Sequence, residues 1–165
     1  MTRNDAMESG DWHLANKLPL WIYFPAGLVL MWSGLAAISE FAGPDALNDP
    51  KIAIIQTAPI WLLGAAAVGV PLLEALVWTA GFTEGFDYTL HAPILGAVCG
   101  VVAYSFVFHW SGGALAIVSS AWIGSVLNVA YCLMRKRSRL AALANAVALR
   151  WCFFLFAYVQ IHSLH

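Results

Sequence analysis

Five stretches of apolar residues follow one another along the chain, separated by short polar segments. They cover residues 18–38, 52–82, 92–109, 113–134 and 140–162. An α-helix needs roughly 20 apolar residues to cross the hydrocarbon core of a bilayer, and these stretches approach or exceed that length. The sequence lacks the series of short segments with alternating polarity that a transmembrane β-barrel requires. The pattern therefore predicts an all-α polytopic transmembrane bundle of about five helices.

The second stretch is longer than one membrane crossing needs. Its about 31 residues would extend about 46 Å as a straight helix, whereas the hydrocarbon core is about 30 Å thick. The stretch contains Pro59 and Pro71, and proline removes a backbone donor and clashes with the preceding helical turn. We predict that the second helix is long and is kinked or broken at Pro71, just before Glu74.

The polar and basic segments predict the topology. Residues 1–17 are polar and do not have the form of a cleaved signal peptide, so we expect a retained tail ahead of a transmembrane domain over 18–165. The loop between the fourth and fifth stretches, residues 135–139, has the sequence RKRSR. The positive-inside rule places the tail and this loop in the cytoplasm, in a multi-pass protein of the cell inner (plasma) membrane. Recognition of anionic lipid or of protein is the alternative role of the loop.

Composition agrees with this class of protein. Apolar residues make up 61% of the chain and charged residues 10%, and the mean hydropathy is +0.75. We expect the lipid bilayer and other membrane protein subunits as partners, and no nucleic acid. The three cysteines are odd in number and lie within apolar stretches, so they predict no disulfide framework.

Small residues indicate where helices pack closely. Gly96 and Gly100 form a GxxxG motif inside the third stretch, which allows two helix backbones to approach. We favour a contact within the chain over dimerisation through this motif.

Glu74 is an acidic residue inside the second stretch, which is otherwise free of charge from residue 52 to residue 82. An ionisable group in lipid is costly, so it usually faces the bundle interior together with a partner. Arg150 lies 11 residues beyond Arg139 in the fifth stretch, about 16 Å from the inner surface. A structural Glu74–Arg150 pair is therefore one hypothesis, while Asn128 and Asn145 are expected to form interhelical hydrogen bonds.

The segment from Pro71 to Gly81 resembles the first motif of the CAAX protease and bacteriocin-processing (CPBP, Abi) membrane family, which has a Pro, two apolar residues, a Glu-Glu pair and a later Arg. The sequence YSFVFH ending at His109 is similar to the second motif, an aromatic-rich helix that ends in His. Residues 122–131 resemble the glycine-containing helix that follows, and residues 140–150 occupy the place of the third motif, His-x-x-x-Asn. The resemblance implies a helical membrane peptidase in which Glu74 and His109 activate water.

The chain departs from the family pattern at five positions, one of which is Ser105, where the second motif has an aromatic residue. Ala75 replaces the second Glu and Thr79 replaces the Arg, while Asn145 and Leu149 stand at the third-motif positions. The resemblance thus implies a family member that has lost most catalytic residues. If it were active, it would be a CAAX-type intramembrane endopeptidase.

The lengths of the helices determine whether Glu74 and His109 lie at the same depth and could act as a dyad. With an inner loop at residues 83–88, His109 lies about 27 Å from that loop and Glu74 only about 12 Å. The two approach each other only if the second helix continues to Tyr88, which increases the distance of Glu74 from the inner surface to about 21 Å, or if the third helix begins late.

Other ligand sites are weaker hypotheses. His91 or His109 could each ligate a haem or chlorin with help from another chain, and Glu84, Asp87 and His91 could bind a divalent metal in the inner loop. We predict no specific metal or cofactor site. Two functions stay open: a non-catalytic CPBP-like protein, and an accessory subunit of a larger membrane complex such as a pigment- or haem-containing assembly.

Overall fold

The computed structural model describes residues 18–42, 59–109 and 112–163, and over these residues the chain is an all-α bundle of five helices without strands. The predicted tail, residues 1–17, lies outside the described residues. A 3₁₀ turn, Leu20–Ile22, leads into α1, Tyr23–Ala42. The helices that follow are α2 over residues 60–90, α3 (Pro93–His109), α4 (Gly113–Arg135) and α5 (Arg139–Ser163).

Helix α2 is long, as predicted, and its regular hydrogen bonding changes in the middle. An α-helical segment, Ile60–Glu74, contains Pro71 and does not break there. A π-helical segment, Ala75–Gly81, follows, and a second α-helical segment, Phe82–Leu90, completes the helix. The expected loop at residues 83–88 is therefore helical. His91 ends α2 in the left-handed conformation, with φ of 51°.

Helix α4 provides much of the core. It packs against α1, α3 and α5. The main apolar cluster joins Leu127 of α4 to Met31 of α1, Ala75 of α2 and Leu149 of α5. Ala75 and Leu127 are completely buried, so the start of the π segment is fixed against the centre of the bundle.

The GxxxG motif of α3 packs against α2 within the chain. A Cβ atom on Gly96 would lie 2.4 Å from the carbonyl oxygen of Phe82, and one on Gly100 would lie 2.2 Å from that of Trp78. Only glycine allows the two backbones to approach this closely. The internal use of the motif is confirmed.

Three helices of the described chain are long and apolar enough to cross a membrane. Their candidate spans are Leu20–Ile38, Gly64–Leu90 and Gly113–Arg135, and α3 contributes a shorter apolar helix, Pro93–Val107. Over its described residues α5 does not meet these criteria. The apolar helices are consistent with an integral membrane protein, and crossing by all five helices stays a prediction.

Polar contacts bring three parts of the chain to one end of the bundle. Arg137 donates a hydrogen bond to the carbonyl oxygen of Leu18, at the start of α1. Arg135 binds Glu84 and Asp87, near the end of α2. We call this end, which carries residues 135–139, the basic end. Its position on the cytoplasmic side stays a prediction.

Candidate functional site

Three side chains from three helices meet inside the bundle. Glu74 ends the first α-helical segment of α2, Tyr104 lies on α3 and Arg150 lies on α5. The Tyr104 hydroxyl donates to Glu74 Oε1 at 3.1 Å and accepts from Arg150 Nη1 at 2.7 Å. Arg150 Nη1 also lies 3.0 Å from Glu74 Oε2. We call this group the Glu74–Tyr104–Arg150 cluster.

The cluster is largely removed from the surface of the chain. The Arg150 side chain is 5% exposed and that of Glu74 is 16% exposed. The guanidinium carbon of Arg150 lies 4.2 Å from the centre of the Tyr104 ring, which adds a cation–π contact. A buried charge needs a partner of opposite sign and hydrogen bonds, and the carboxylate, hydroxyl and ring supply these. Arg150 Nε is the buried nitrogen of this group that has no hydrogen-bond partner among the described residues.

Aromatic packing fixes the tyrosine. Trp78, in the π segment, lies 6.3 Å from the Tyr104 ring centre, and it also stacks on Phe82 at 5.5 Å. The close approach of α2 to α3 at Gly100 brings this part of the π segment against α3. A π segment adds residues to a helical turn and changes the direction of the side chains around it, and such segments are frequent at functional sites.

Tyr104 is the member of the cluster that was not predicted from the sequence. In the sequence, Tyr104 was noted only as the first residue of the YSFVFH segment that resembles the second motif. A tyrosine within an apolar helix needs a partner for its hydroxyl when it is buried, and that requirement was an available signal.

The structure brings Glu74 and Arg150 into contact, and it places His109 further along the bundle. His109 lies five residues beyond Tyr104, about 7.5 Å along the axis of α3. Its side chain lies outside the described residues. Because α2 continues to Leu90, Glu74 and His109 are closer along the bundle axis than they would be with a loop at residues 83–88. Their action as a catalytic dyad stays a prediction.

The two asparagines are buried without an interhelical hydrogen bond in the described part of the chain. Asn128 Nδ2 donates to the carbonyl oxygen of Gly124, one turn earlier in α4, and Asn128 Oδ1 has no partner there. Asn145 Nδ2 is likewise without a partner among the described residues. The structure therefore gives no contact that supports their predicted interhelical role.

A second polar cluster lies at the basic end. Arg135 Nε donates to Glu84 Oε1 at 2.8 Å, and its guanidinium also pairs with Asp87. The Tyr131 hydroxyl donates to the same Glu84 oxygen at 3.0 Å, and Arg139 Nε lies 3.3 Å from Glu84 Oε2. Glu84 and Asp87 are three residues apart and share a helix face. Because the sequence assigned both residues to a loop, their common face was not predicted.

The hypothesis of a divalent metal site assigned Glu84, Asp87 and His91 as ligands. In the structure the carboxylates of Glu84 and Asp87 instead form ion pairs with arginines. Within the described ranges no group of three or more His, Cys, Asp or Glu side chains could hold a metal ion. The three cysteines are free thiols, each half-buried within a helix.

Comparison of the chain with models of protein families, with curated proteins and with solved structures gives no significant match. The resemblance to the CPBP family therefore rests on the motif residues quoted above.

Proposed function

We propose that this protein is a non-catalytic integral membrane protein that resembles the CPBP intramembrane peptidases. The observation that carries this proposal is the state of the Glu74 carboxylate. One of its oxygens accepts a hydrogen bond from Tyr104 and the other faces the Arg150 guanidinium. A general base needs an oxygen within hydrogen-bond reach of the water that it deprotonates. Here one carboxylate oxygen is engaged by a hydroxyl group and the other by a cation, so the carboxylate takes part in contacts between three helices.

The residues at the other motif positions support the same conclusion. Ala75 stands where the family has its second Glu, and it is completely buried in the apolar core with Met31, Leu127 and Leu149. Thr79 stands where the family has an Arg and is 1% exposed. An alanine in the core supplies neither a proton acceptor nor a polar surface for a substrate carbonyl. The cluster then acts to hold α2, α3 and α5 together.

An accessory role in a larger membrane assembly is the second candidate function. The first half of α2 is loosely covered by the rest of the chain: Trp61 and Val68 are strongly exposed, and a Cβ on Gly64 or Gly69 would meet no atom within 4 Å. An exposed face that combines small and large apolar residues can pack against helices of another subunit.

A peptidase assay tests the proposal directly. Purified protein in detergent is incubated with a fluorogenic prenylated CAAX peptide, and Glu74→Gln, His109→Ala and His91→Ala are compared with the wild type. We expect no cleavage above the level of the Glu74→Gln variant. Cleavage by the wild type and by His91→Ala that is lost in the other two variants, with their helical content and melting temperature retained, would refute the non-catalytic assignment.

The accessory role is tested by gentle extraction and mass spectrometry of copurifying subunits. We expect a stoichiometric partner that is lost when Val68 is replaced by a bulky polar residue. A wild-type protein that copurifies with lipid alone would contradict this role while leaving the non-catalytic assignment intact.

A further inference from the structure

Two asparagines lie buried at nearly the same level of the neighbouring helices α4 and α5. Asn128 is 4% exposed and Asn145 is 9% exposed. The two helices run in opposite directions and are joined by a short turn between Arg135 and Arg139. Asn128 lies seven residues before Arg135 and Asn145 lies six residues after Arg139, which places them about 10.5 Å and about 9 Å from the turn. Their levels along the helix pair therefore differ by only about 1.5 Å.

Apolar contacts on either side of the asparagines support this register. Leu127 of α4 and Ala146 of α5 belong to one buried cluster, and each lies one residue further from the turn than the asparagine on its helix. Tyr131 and Ala142 belong to the next cluster, and each lies three residues closer to the turn. Equal steps along the two helices are what antiparallel packing requires. The asparagines thus lie between two layers in which α4 and α5 pack together.

The two amide groups present complementary hydrogen-bonding atoms. Asn128 Nδ2 donates to the carbonyl oxygen of Gly124 at 2.9 Å, and because a carbonyl oxygen can only accept, this bond leaves Asn128 Oδ1 as an acceptor for another group. That oxygen and the donor Asn145 Nδ2 are both buried and have no hydrogen-bond partner in the part of the chain that the structure describes. Native proteins pair nearly all buried polar groups, either with protein atoms or with ordered water. An acceptor and a donor at one level can share a single bridging molecule.

We propose that a water molecule binds between α4 and α5, accepting a hydrogen bond from Asn145 Nδ2 and donating one to Asn128 Oδ1. Buried waters typically bond to polar groups that the protein leaves unpaired. A cation is repelled by the amide donor and an anion by the amide acceptor, whereas water satisfies both. The short side chains of Ala142 and Ala146 beside Asn145 also favour water over a larger ligand.

This water gives the asparagines the interhelical role that the sequence predicts, because a water-mediated bridge joins two helices nearly as well as a direct hydrogen bond. The inference does not depend on the peptidase-like or the accessory role of the protein.

The direct test is solid-state nuclear magnetic resonance of the full-length protein in liposomes, with magnetisation transferred from water protons to amide groups. We expect a water contact at the side-chain amide of Asn145. The backbone amide of Met31, in the apolar core at 1% exposure, is the internal control and should show none. Asn128→Leu removes one of the two partners of the water and should weaken the signal at Asn145 about fivefold, the effect of one hydrogen bond of ordinary strength.

The unfolding equilibrium of leucine variants gives a second readout. Asn128→Leu and Asn145→Leu should each raise the unfolding constant about fivefold to tenfold, because each leaves the other amide with a poorly held water. The double variant removes both polar groups, so its unfolding constant should be no larger than that of either single variant. Ser125→Ala is the matched control: Ser125 also donates to a carbonyl oxygen one turn earlier in α4, but it is exposed, and we expect no change.

The wild-type measurement decides the proposal even if a variant does not fold. Absence of a water contact at Asn145 would overturn it. A nitrogen–carbon distance that places Asn145 Nδ2 in direct hydrogen-bond contact with Asn128 would also overturn it, and so would additive losses in the double variant.

Discussion

The Glu74–Arg150 contact predicts a strong coupling between two replacements. Glu74→Gln preserves the size of the side chain and an acceptor for Tyr104, but it removes the only negative charge of the cluster. The Arg150 guanidinium, 5% exposed, then lacks a counter-charge. Removal of one partner of a buried ion pair costs about 3 to 5 kcal/mol. The Tyr104 ring stays 4.2 Å from the guanidinium, a contact worth about 0.5 to 2 kcal/mol, so we expect about 3 kcal/mol.

Arg150→Met should be similarly destabilising for a different reason. It leaves a carboxylate that keeps the Tyr104 hydrogen bond but loses its cation, and it removes the ring contact as well. The double replacement leaves neither charge in the bundle. Its cost should therefore be smaller than the sum of the single costs by about 2 kcal/mol, within the range for residues in direct contact.

The free energy of unfolding can be measured in mixed micelles, with the denaturing detergent as the variable and helical circular dichroism as the signal. Arg139→Gln is the control for loss of a positive charge, because that side chain is 70% exposed and its pair should contribute less than about 1 kcal/mol. Additive costs for Glu74→Gln and Arg150→Met would refute the pair. Unchanged stability of Glu74→Gln would also refute the structural pair, and it would favour a catalytic role for Glu74.

Three further predictions follow from other parts of the bundle. Gly100→Ala should lower the free energy of unfolding by about 1 to 3 kcal/mol, because its Cβ would overlap the Trp78 carbonyl oxygen, whereas Gly64→Ala, which meets no atom within 4 Å, should be neutral or slightly stabilising in the same assay. Arg135→Met should cost about 1 to 3 kcal/mol, since it leaves Asp87 without this cation and Glu84 with only the exposed Arg139, and adding Glu84→Gln should restore part of that loss; equal losses in the single and double variants would contradict this. Reporter fusions after residue 137 should report a cytoplasmic location, and an external signal there would show that the predicted topology is wrong.

The sequence alone determined the class of fold. Apolar stretches of membrane-spanning length allow only structures whose backbone groups are all paired, and the absence of alternating segments selected helices. The same pattern located α3, α4 and α5 to within one residue of their observed bounds, and α1 to within five residues. It also identified Glu74 as a residue that needs a partner, because an isolated carboxylate in an apolar helix is costly.

The end of α2 could not be predicted from hydrophobicity. The sequence TEGFDY, residues 83–88, is polar and contains glycine, so it was assigned to a loop. Packing decided otherwise, because Arg135 at the end of α4 pairs with both Glu84 and Asp87 when they share a helical face. A contact between residues about 50 positions apart leaves no trace in a local pattern.

Tertiary structure also decided the composition of the Glu74–Tyr104–Arg150 cluster. Sequence could propose Arg150 as a partner by charge and depth, but it could not include Tyr104, because the ring and hydroxyl act only where α2, α3 and α5 converge. The register of that convergence depends on the π segment after Glu74 and on the backbone contact at Gly100. Periodicity determines which residues lie within helices, whereas the rotation and height at which helices meet depend on side-chain packing between distant segments.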